Sequence, residues 1–395
     1  MKFWKQYYYS YLKLFIDFLR PKDQSNYLVA SDVLGRVDDV QSFLTQANLS
    51  LPENGRLIIT QYNALWEPIL RLASWLGWRE GPIEQNWLAL ADLKNFAYLA
   101  GLEVIRSGTK MLVPIYIPII SSLFNRFLAN LWPFSRLGLF HFLVLRKIDD
   151  TSRHQSPSLS IIVPARNEAA TIEKIVQELP TLGLFTEVIF VEGNSTDNTF
   201  TEIQRVTEKY KAMKKIKYAK QEGKGKGDAV RNGFDLATGD ILTIYDADMT
   251  VPPKEIKKFY DAIVENKGDF INGSRLVYPM QKESMRVLNF LGNKFFSLAF
   301  TWILSQPIKD TLCGTKMLWR KDYENIKKNR PFFGDFDPFG DFDLLFGATK
   351  LNLKIIDLPV HYRERVYGVT NISRWRHGWL LFRMTWFAMK KLKFR

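Results

Sequence analysis

The sequence predicts an α/β protein whose carboxyl-terminal half is built on a mostly parallel sheet, and three observations carry that expectation. Short apolar, β-branched runs alternate with longer helix-like runs from residue 159 onward. Polar or glycine-containing residues follow every strand-like run. The chain has 395 residues, 46% hydrophobic and 14% aromatic, enough to bury more than one core, so two domains are expected.

In chain order, LSIIVPA is expected as a strand, EAATIEKIVQEL as a helix, EVIFVEG as a strand and DNTFTEIQRVTEKY as a helix. KIKYAK then gives a strand and KGDAVRNGFDLA a helix. The next run, Ile241 to Tyr245, is a buried strand introduced by Thr238-Gly239-Asp240 and stopped by Val251-Pro252-Pro253. Such βαβ succession puts helices on both faces of the sheet.

A polar, aperiodic break at residues 146–158 separates this half from the first. Before the break, YLVASDVL, GRLIITQYN and LEVIRSG are expected as strands, with DVQSFLTQAN and NWLALADLKNFAYLAG as helices. That pattern is a fragment of a second α/β unit. The expected division is 1–23, a basic aromatic segment; 24–147, the partial unit; 158–372, the main domain; and 373–395, a basic amphipathic helix.

The single cysteine, Cys313, excludes an internal disulfide and a cysteine-rich zinc site and fits a reducing compartment. A formal charge of +14 favours an anionic partner: a membrane surface, a phosphorylated substrate or nucleic acid. Residues 374–395 carry seven Lys/Arg and no acid, with Trp375, Trp379, Phe382 and Trp386 at roughly helical spacing. A basic helix with aromatic anchors suits the headgroup plane of a membrane, and equally suits packing on its own domain. The stretch 111–124 is too short and too proline-rich to span a bilayer. No signal peptide is evident, and a cytosolic protein peripheral on the membrane face is expected.

The chemistry concentrates where strands end. Asp246 and Asp248 follow a strand directly, at the edge where open α/β sheets bind ligands. Carboxylates so close repel unless a cation sits between them, so a divalent ion bridging them to a diphosphate is one reading. A helix-capping Asp beside a solvated one is the other. Arg166 and Glu168 follow the first strand of this half, and Glu192, Asn194 and Asp197 follow the second. The loop GKGKGDAV sets Lys224 and Lys226 at a helix start, where free N–H groups favour an anion. It lacks the spacing of a P-loop.

SIIVPARNEAATI, VIFVEGNSTDNT, GKGDAVRNGFDLATGDILTIYDADMTVPP and INGSR together resemble family 2 glycosyltransferases of the GT-A fold, closest to the dolichyl- or polyprenyl-phosphate mannosyltransferase branch. The resemblance covers about Ser158 to Tyr367. It implies a Rossmann-like, mostly parallel central sheet and a nucleotide diphosphate sugar as donor. It implies Pro164, Arg166, Glu168 and Glu192 around base and ribose, and Lys226 with Asp246 in the donor site. Asp246 and Asp248 then match the DxD motif holding Mg²⁺ or Mn²⁺; Thr250 replaces the Gln that reaches the metal in some relatives. This chain has EGNS where the family usually has Asp-Asp-x-Ser, which leaves the base open.

The same resemblance implies that Arg275, Arg286 and Asn293 meet the acceptor, a polyprenyl phosphate or a glycan. It puts Asp341 in the place of the base that hydroxyl acceptors need, Asp343 in a structural role, and Arg365, with Gly368 and Thr370 behind it, at the donor diphosphate. No nucleic acid is expected. In the first half, LVASDVLGRVDDVQSFL, GRLIITQYNALWEPIL and NWLALADLKNFAYLAGLEVI resemble the carboxyl half of class I S-adenosylmethionine-dependent methyltransferases. The cofactor's glycine-rich loop is missing, so no methylation is expected unless a partner chain supplies that half. Nucleotidyl transfer and a non-catalytic scaffold remain the competing functions.

Overall fold

The computed structural model describes residues 2–21, 26–78, 86–148, 156–278, 287–330, 342–365, 367 and 374–394. Arg286, Asp341, Gly368 and Thr370 lie outside them, as does the side chain of Trp375. The chain forms two compact units. Unit 1 comprises Met1–Asp150 with Lys350–Asn352 and Met389–Arg395; unit 2 comprises Thr151–Thr349 and Leu353–Ala388.

Unit 1 runs α1 (Lys2–Leu19), β1 (Tyr27–Ser31), α2 (Val40–Ser50), β2 (Arg56–Tyr62), α3 (Glu67–Trp75), α4 (Leu90–Leu99), β3 (Leu102–Lys110), α5 (Ile120–Arg126) and β4 (Phe140–Lys147). Its sheet has the order β1-β2-β4-β3, with β1 parallel to β2 and β4 antiparallel to both neighbours. Side chains alternate across it. Leu57 and Ile59 join Leu44 of α2 and Leu93 and Ala97 of α4, while Ile58 joins Leu19 of α1 in a separate cluster. The basic aromatic amino terminus is therefore a helix packed on a sheet, with Tyr8, Leu12 and Leu19 fully buried. β4 was not foreseen, because it sits beside the polar break.

Unit 2 runs β5 (Leu159–Ala165), α6 (Ile172–Glu178), β6 (Thr186–Glu192), α7 (Thr199–Tyr210), β7 (Lys215–Lys220), α8 (Lys226–Leu236), β8 (Ile241–Ile244), α9 (Ile256–Val264) and β9 (Phe270–Ser274). It continues through α10 (Val287–Leu304), β10 (Lys316–Trp319), α11 (Arg320–Asn329), α12 (Phe342–Lys350), β11 (Ile355–Pro359) and α13 (Arg374–Ala388). The seven-stranded sheet has the order β11-β9-β10-β8-β5-β6-β7. Every neighbouring pair is parallel except the two made by β10, which is antiparallel to β8 and to β9. The expected mostly parallel α/β sheet is what forms.

Burial on both faces explains why β5 is a nearly continuous apolar run. Ile161, Val163 and Ala165 pack with Ile172, Ile175 and Val176 of α6, Ile203 and Val206 of α7, and Ile256, Phe259 and Ile263 of α9. Ile162 faces the other way, against Gly233 of α8, where a Cβ would overlap its side chain. α9 buries Ile256, Phe259, Tyr260 and Ile263, the i, i+3, i+4, i+7 stripe of a helix lying on a sheet. Each such side chain contributes roughly 1.5–3 kcal/mol by leaving water.

Register then sets the functional edge. Ala165 pairs with Glu192 and Glu192 with Lys220, so β5, β6 and β7 end level, whereas β8 ends at Ile244 opposite Ile162, before the end of β5. β10 arrives from the opposite direction with Lys316 opposite Ile244, which puts the residues just before Lys316 beside those just after Ile244.

Candidate active site

The end of β8 presents the acid pair. Tyr245 donates its backbone N–H to Ile162 O (2.9 Å) and its hydroxyl to Val251 O (2.7 Å), closing the loop between them. Asp248 turns this loop on itself: its Oδ1 accepts from the Thr250 N–H (3.1 Å) and hydroxyl (2.9 Å). Thr250 thus supports Asp248 directly, a role its sequence position had not suggested.

Cations surround the pair. Gly225, at φ +86°, makes the turn into α8 that only glycine makes without strain, and the next residue, Lys226, reaches Asp246 Oδ1 with its Nζ at 2.6 Å. Upstream in the same loop, Gly223 donates its N–H to Asp228 Oδ2 (3.0 Å), fastening the loop to the first turn of α8. On the other side, the Arg363 N–H donates to Thr250 O (2.8 Å) and anchors the segment after β11. Arg365 then lies with Nη2 2.5 Å from Glu168 Oε1 and 3.4 Å from Asp248 Oδ2.

The two aspartates are driven apart in acidity. Burial acts to raise the Asp246 carboxyl, but Lys226, with Lys316 and Arg275 further off, outweighs it and holds the group below its ordinary value. For Asp248, burial and the Asp246 charge win over Thr250 and Arg365, and the carboxyl is raised. Burial also raises Glu168, to about 7, against Arg365 and with the help of Asp248, Asp197 and Asp246. Its second oxygen, Oε2, is buried and makes no hydrogen bond. Burial is the largest cause of both raised carboxyls, with the neighbouring acids adding to it.

The loops after β5 and β6 are tied together. The Asn167 N–H donates to Ser195 Oγ (3.1 Å), the Thr196 N–H donates to Asn167 Oδ1 (2.8 Å), and the Glu168 N–H donates to Thr199 Oγ1 (2.9 Å). Asn167 and Asn194 both sit at φ +57°. Glu192 is buried and accepts from the Ser195 N–H, Pro164 is half-buried on β5, and Arg166 is exposed. Sequence reasoning set Glu168 around the base and ribose; the structure links it, through Arg365, to Asp248.

Two residues that sequence reasoning missed close the site. Gly314 faces the acid pair so closely that a Cβ there would overlap the Asp246 carboxylate and the Lys226 ammonium. Lys316 is fully buried, donates to Cys313 O and adds to the positive field on Asp246. A short glycine-bearing run before a strand, Cys313-Gly314-Thr315-Lys316, was the only available signal.

The residues expected at an acceptor do not all gather here. Arg275 was expected to offer its fork to a phosphate; the fork is occupied by Asp310, with Nε 2.7 Å from Oδ2 and Nη2 2.9 Å from Oδ1. Asp310 is fully buried and also accepts from the Arg275 and Leu312 N–H groups. Asn293 is buried on α10. Asp343 faces Arg330 (3.4 Å) and Arg231 (3.9 Å).

The donor set suits a hard divalent cation: two aspartate carboxylates, a nearby orphaned carboxylate oxygen, and a glycine that leaves the approach to Asp246 open. Among the described residues no three His, Cys, Asp or Glu side chains form a ready-made metal cage. A ligand's own oxygens would have to complete the coordination.

Residues 160–327 match the family model described as glycosyl transferase family 2. The chain is similar to glycosyltransferase AglJ of Haloferax volcanii, at 27% identity over 57% of this chain and 70% of that protein. It is also similar to the dolichol-phosphate mannosyltransferase of Pyrococcus furiosus, at 36% identity over 54% of this chain and 59% of that one. Among solved structures, glucosyl-3-phosphoglycerate synthase from Mycobacterium tuberculosis aligns with a TM-score of 0.45 and 17% identity, over 60% of this chain and 80% of that one.

Proposed function

Because residues 160–327 match the family model described as glycosyl transferase family 2, we propose that the chain is a metal-dependent, inverting glycosyltransferase. It moves a hexose from a nucleoside diphosphate to a polyprenyl phosphate, or to a lipid-linked or glycan hydroxyl, at the cytosolic face of a membrane. One observation carries this reading: Asp246 and Asp248 stand at the carboxyl edge of the sheet with Lys226 on one flank and Arg365 on the other. The lipid phosphate is suggested by the likeness to a protein named for dolichol phosphate.

Asp246 and Asp248 would hold Mg²⁺ or Mn²⁺, which supplies charge neutralisation for a departing diphosphate. Lys226 and Arg365 add positive charge to the same leaving group from either side. Pro164, Arg166 and Glu192 border the space for base and ribose, and Glu168 holds Arg365 in position. On the acceptor side we assign Arg286 and Asn293, with Arg275 shaping that wall through Asp310. An acceptor phosphate is already an anion and needs no base, whereas for a hydroxyl acceptor Asp341 would take the proton. As the acceptor oxygen bonds to the anomeric carbon, the bond to the diphosphate oxygen breaks, its electron pair leaves with the nucleoside diphosphate, and the configuration inverts.

The exposed Trp379, Phe382 and Trp386 share one face of α13, while Leu381, Met384 and Ala388 are buried. That face would rest on lipid. The methyltransferase likeness of residues 24–147 rests on sequence alone, and we infer no methyl transfer without a partner chain that supplies a cofactor loop.

The test is release of nucleoside diphosphate from nucleotide sugars with Mg²⁺ or Mn²⁺, with and without polyprenyl phosphate. Asp246→Asn and Asp248→Asn are expected to lose about 10²–10³-fold in turnover, and chelation to abolish it. Near-normal turnover in either variant would overturn the reading. Release of pyrophosphate would make the chain a nucleotidyltransferase, and donor affinity without turnover on any acceptor would make it a scaffold.

A further inference from the structure

Unit 1 contains a helix turned inside out. On α5 two polar residues, Ser121 and Asn125, are the buried ones: Ser121 donates to Ile115 O (2.6 Å) and accepts from the Ile117 N–H (2.7 Å). Asn125 accepts from the Val113 N–H and donates to Val113 O, both at 2.8 Å. The following turn continues the inversion, with Ala129 and Asn130 buried. Outside lie Ile119, Ile120, Leu123, Phe127, Leu131 and Trp132, with Ile119 83% and Trp132 76% exposed. A helix bordering water places its apolar residues inward; this one spends Ser121 and Asn125 on holding a loop and turns Ile120 and Leu123 out.

The apolar surface extends further. Trp66 donates its Nε1–H to Leu137 O (2.8 Å), which sets the start of α3 beside the end of this segment. Ile69 and Leu72 on α3, with Leu65 just before it and Leu76 just after it, are all exposed, and Trp75 is 81% exposed. So many large apolar groups on one surface exceed what a water-facing unit ordinarily tolerates.

Charge selects the occupant. Residues 104–148 contain no Asp or Glu and six Lys/Arg, of which Arg106 and Arg146 are buried, the latter paired with Glu103. Arg126 and Arg136 are exposed at the rim of the apolar face. A second copy docked on this face would bring those arginines against their own counterparts, whereas an anionic lipid surface complements them. Tyr116 and Trp132, both exposed, are the amphipathic ring types that settle at headgroup depth. Among the described residues no helix is long and apolar enough to cross a membrane, so the segment lies on the bilayer rather than through it.

We propose that residues 115–137 and the outer face of α3 form a membrane-seating surface for anionic lipid, belonging to unit 1. The choice of lipid rests in part on the lipid-phosphate acceptor proposed above; the inverted helix does not.

The experiment is flotation of the full chain with vesicles of phosphatidylcholine containing about one third phosphatidylglycerol, and of phosphatidylcholine alone, without nucleotide sugar. The wild type is expected to float with the anionic vesicles. The triple variant Ile119→Asn, Leu123→Ser, Phe127→Ser is expected to lose at least about tenfold in bound fraction while keeping its thermal midpoint and its far-ultraviolet circular dichroism. Trp379→Ser with Trp386→Ser, on the other lipid-facing surface proposed above, is expected to lower the bound fraction by less than the triple variant does. Equal flotation of the triple variant and the wild type would overturn the proposal. So would a wild type that ignores both vesicles but sediments as a dimer that the triple variant dissolves. No donor chemistry enters the readout, so a failed transfer assay leaves this result unaffected.

Discussion

At the scale of the residue, the site depends on one missing side chain. Gly314 leaves room for the Asp246 carboxylate and the Lys226 ammonium, and a methyl group there would have to push one of them aside. Gly314→Ala is therefore expected to reduce transfer by about 10²-fold, since a displacement near 1 Å at a reacting centre has that effect, while the thermal midpoint stays close to wild type. Metal-dependent donor binding and a melting curve measure the two halves; unaltered donor binding would mean that the acid pair is not where the diphosphate sits. Asp246, Asp248 and Lys226 were legible in the sequence because each lies next to the element that presents it. Gly314 and the Glu168–Arg365 pair were not: the latter two are 197 positions apart and meet only once β11 is placed at the sheet's far edge.

At the scale of the element, β5, β6 and β8 were readable because burial on both faces writes an apolar run, whereas β9 and β11 were not expected as strands. β10 was harder, since four residues, Lys316–Trp319, carry little pattern and begin with a buried lysine. What fixes the approach to β10 is the buried Arg275–Asp310 pair, which ties the end of β9 to the connection leading into β10. Removing one partner of a buried pair strands a charge: Asp310→Ala is expected to cost about 3–5 kcal/mol, and replacing both partners with apolar residues of similar volume much less. Denaturant unfolding of the three proteins decides it. A mild Asp310→Ala with a raised acceptor KM would mean instead that Arg275 serves the acceptor directly.

At the scale of the whole molecule, two features separate this chain from a generic α/β protein: its charge and its pH response. Glu168, raised by burial to about 7 from 4.5, keeps its proton in the folded state over a range where the unfolded chain has released it. The folded state then binds more protons, so this group's contribution to stability falls as pH rises from about 4.5 to about 7 and is unchanged outside that window. Thermal midpoints of wild type and Glu168→Gln, measured without metal across that range, are expected to diverge in the variant's favour as pH increases; a constant difference would refute the shift. The alternation that predicts unit 2 is a whole-chain signal and was legible early, whereas the inverted α5 was invisible because its composition resembles an ordinary core helix and only its orientation differs. The backward entry of β10 has a bearing on how such a site diverges over time. One wall is encoded by loops after forward-running strands, at residues 164–168, 192–197 and 246–250, and the other by the separate stretch that ends at Gly314. Mutation can therefore redraw one wall while the other is inherited intact, and a graft of the later stretch between related chains would exchange one specificity without rewriting its counterpart.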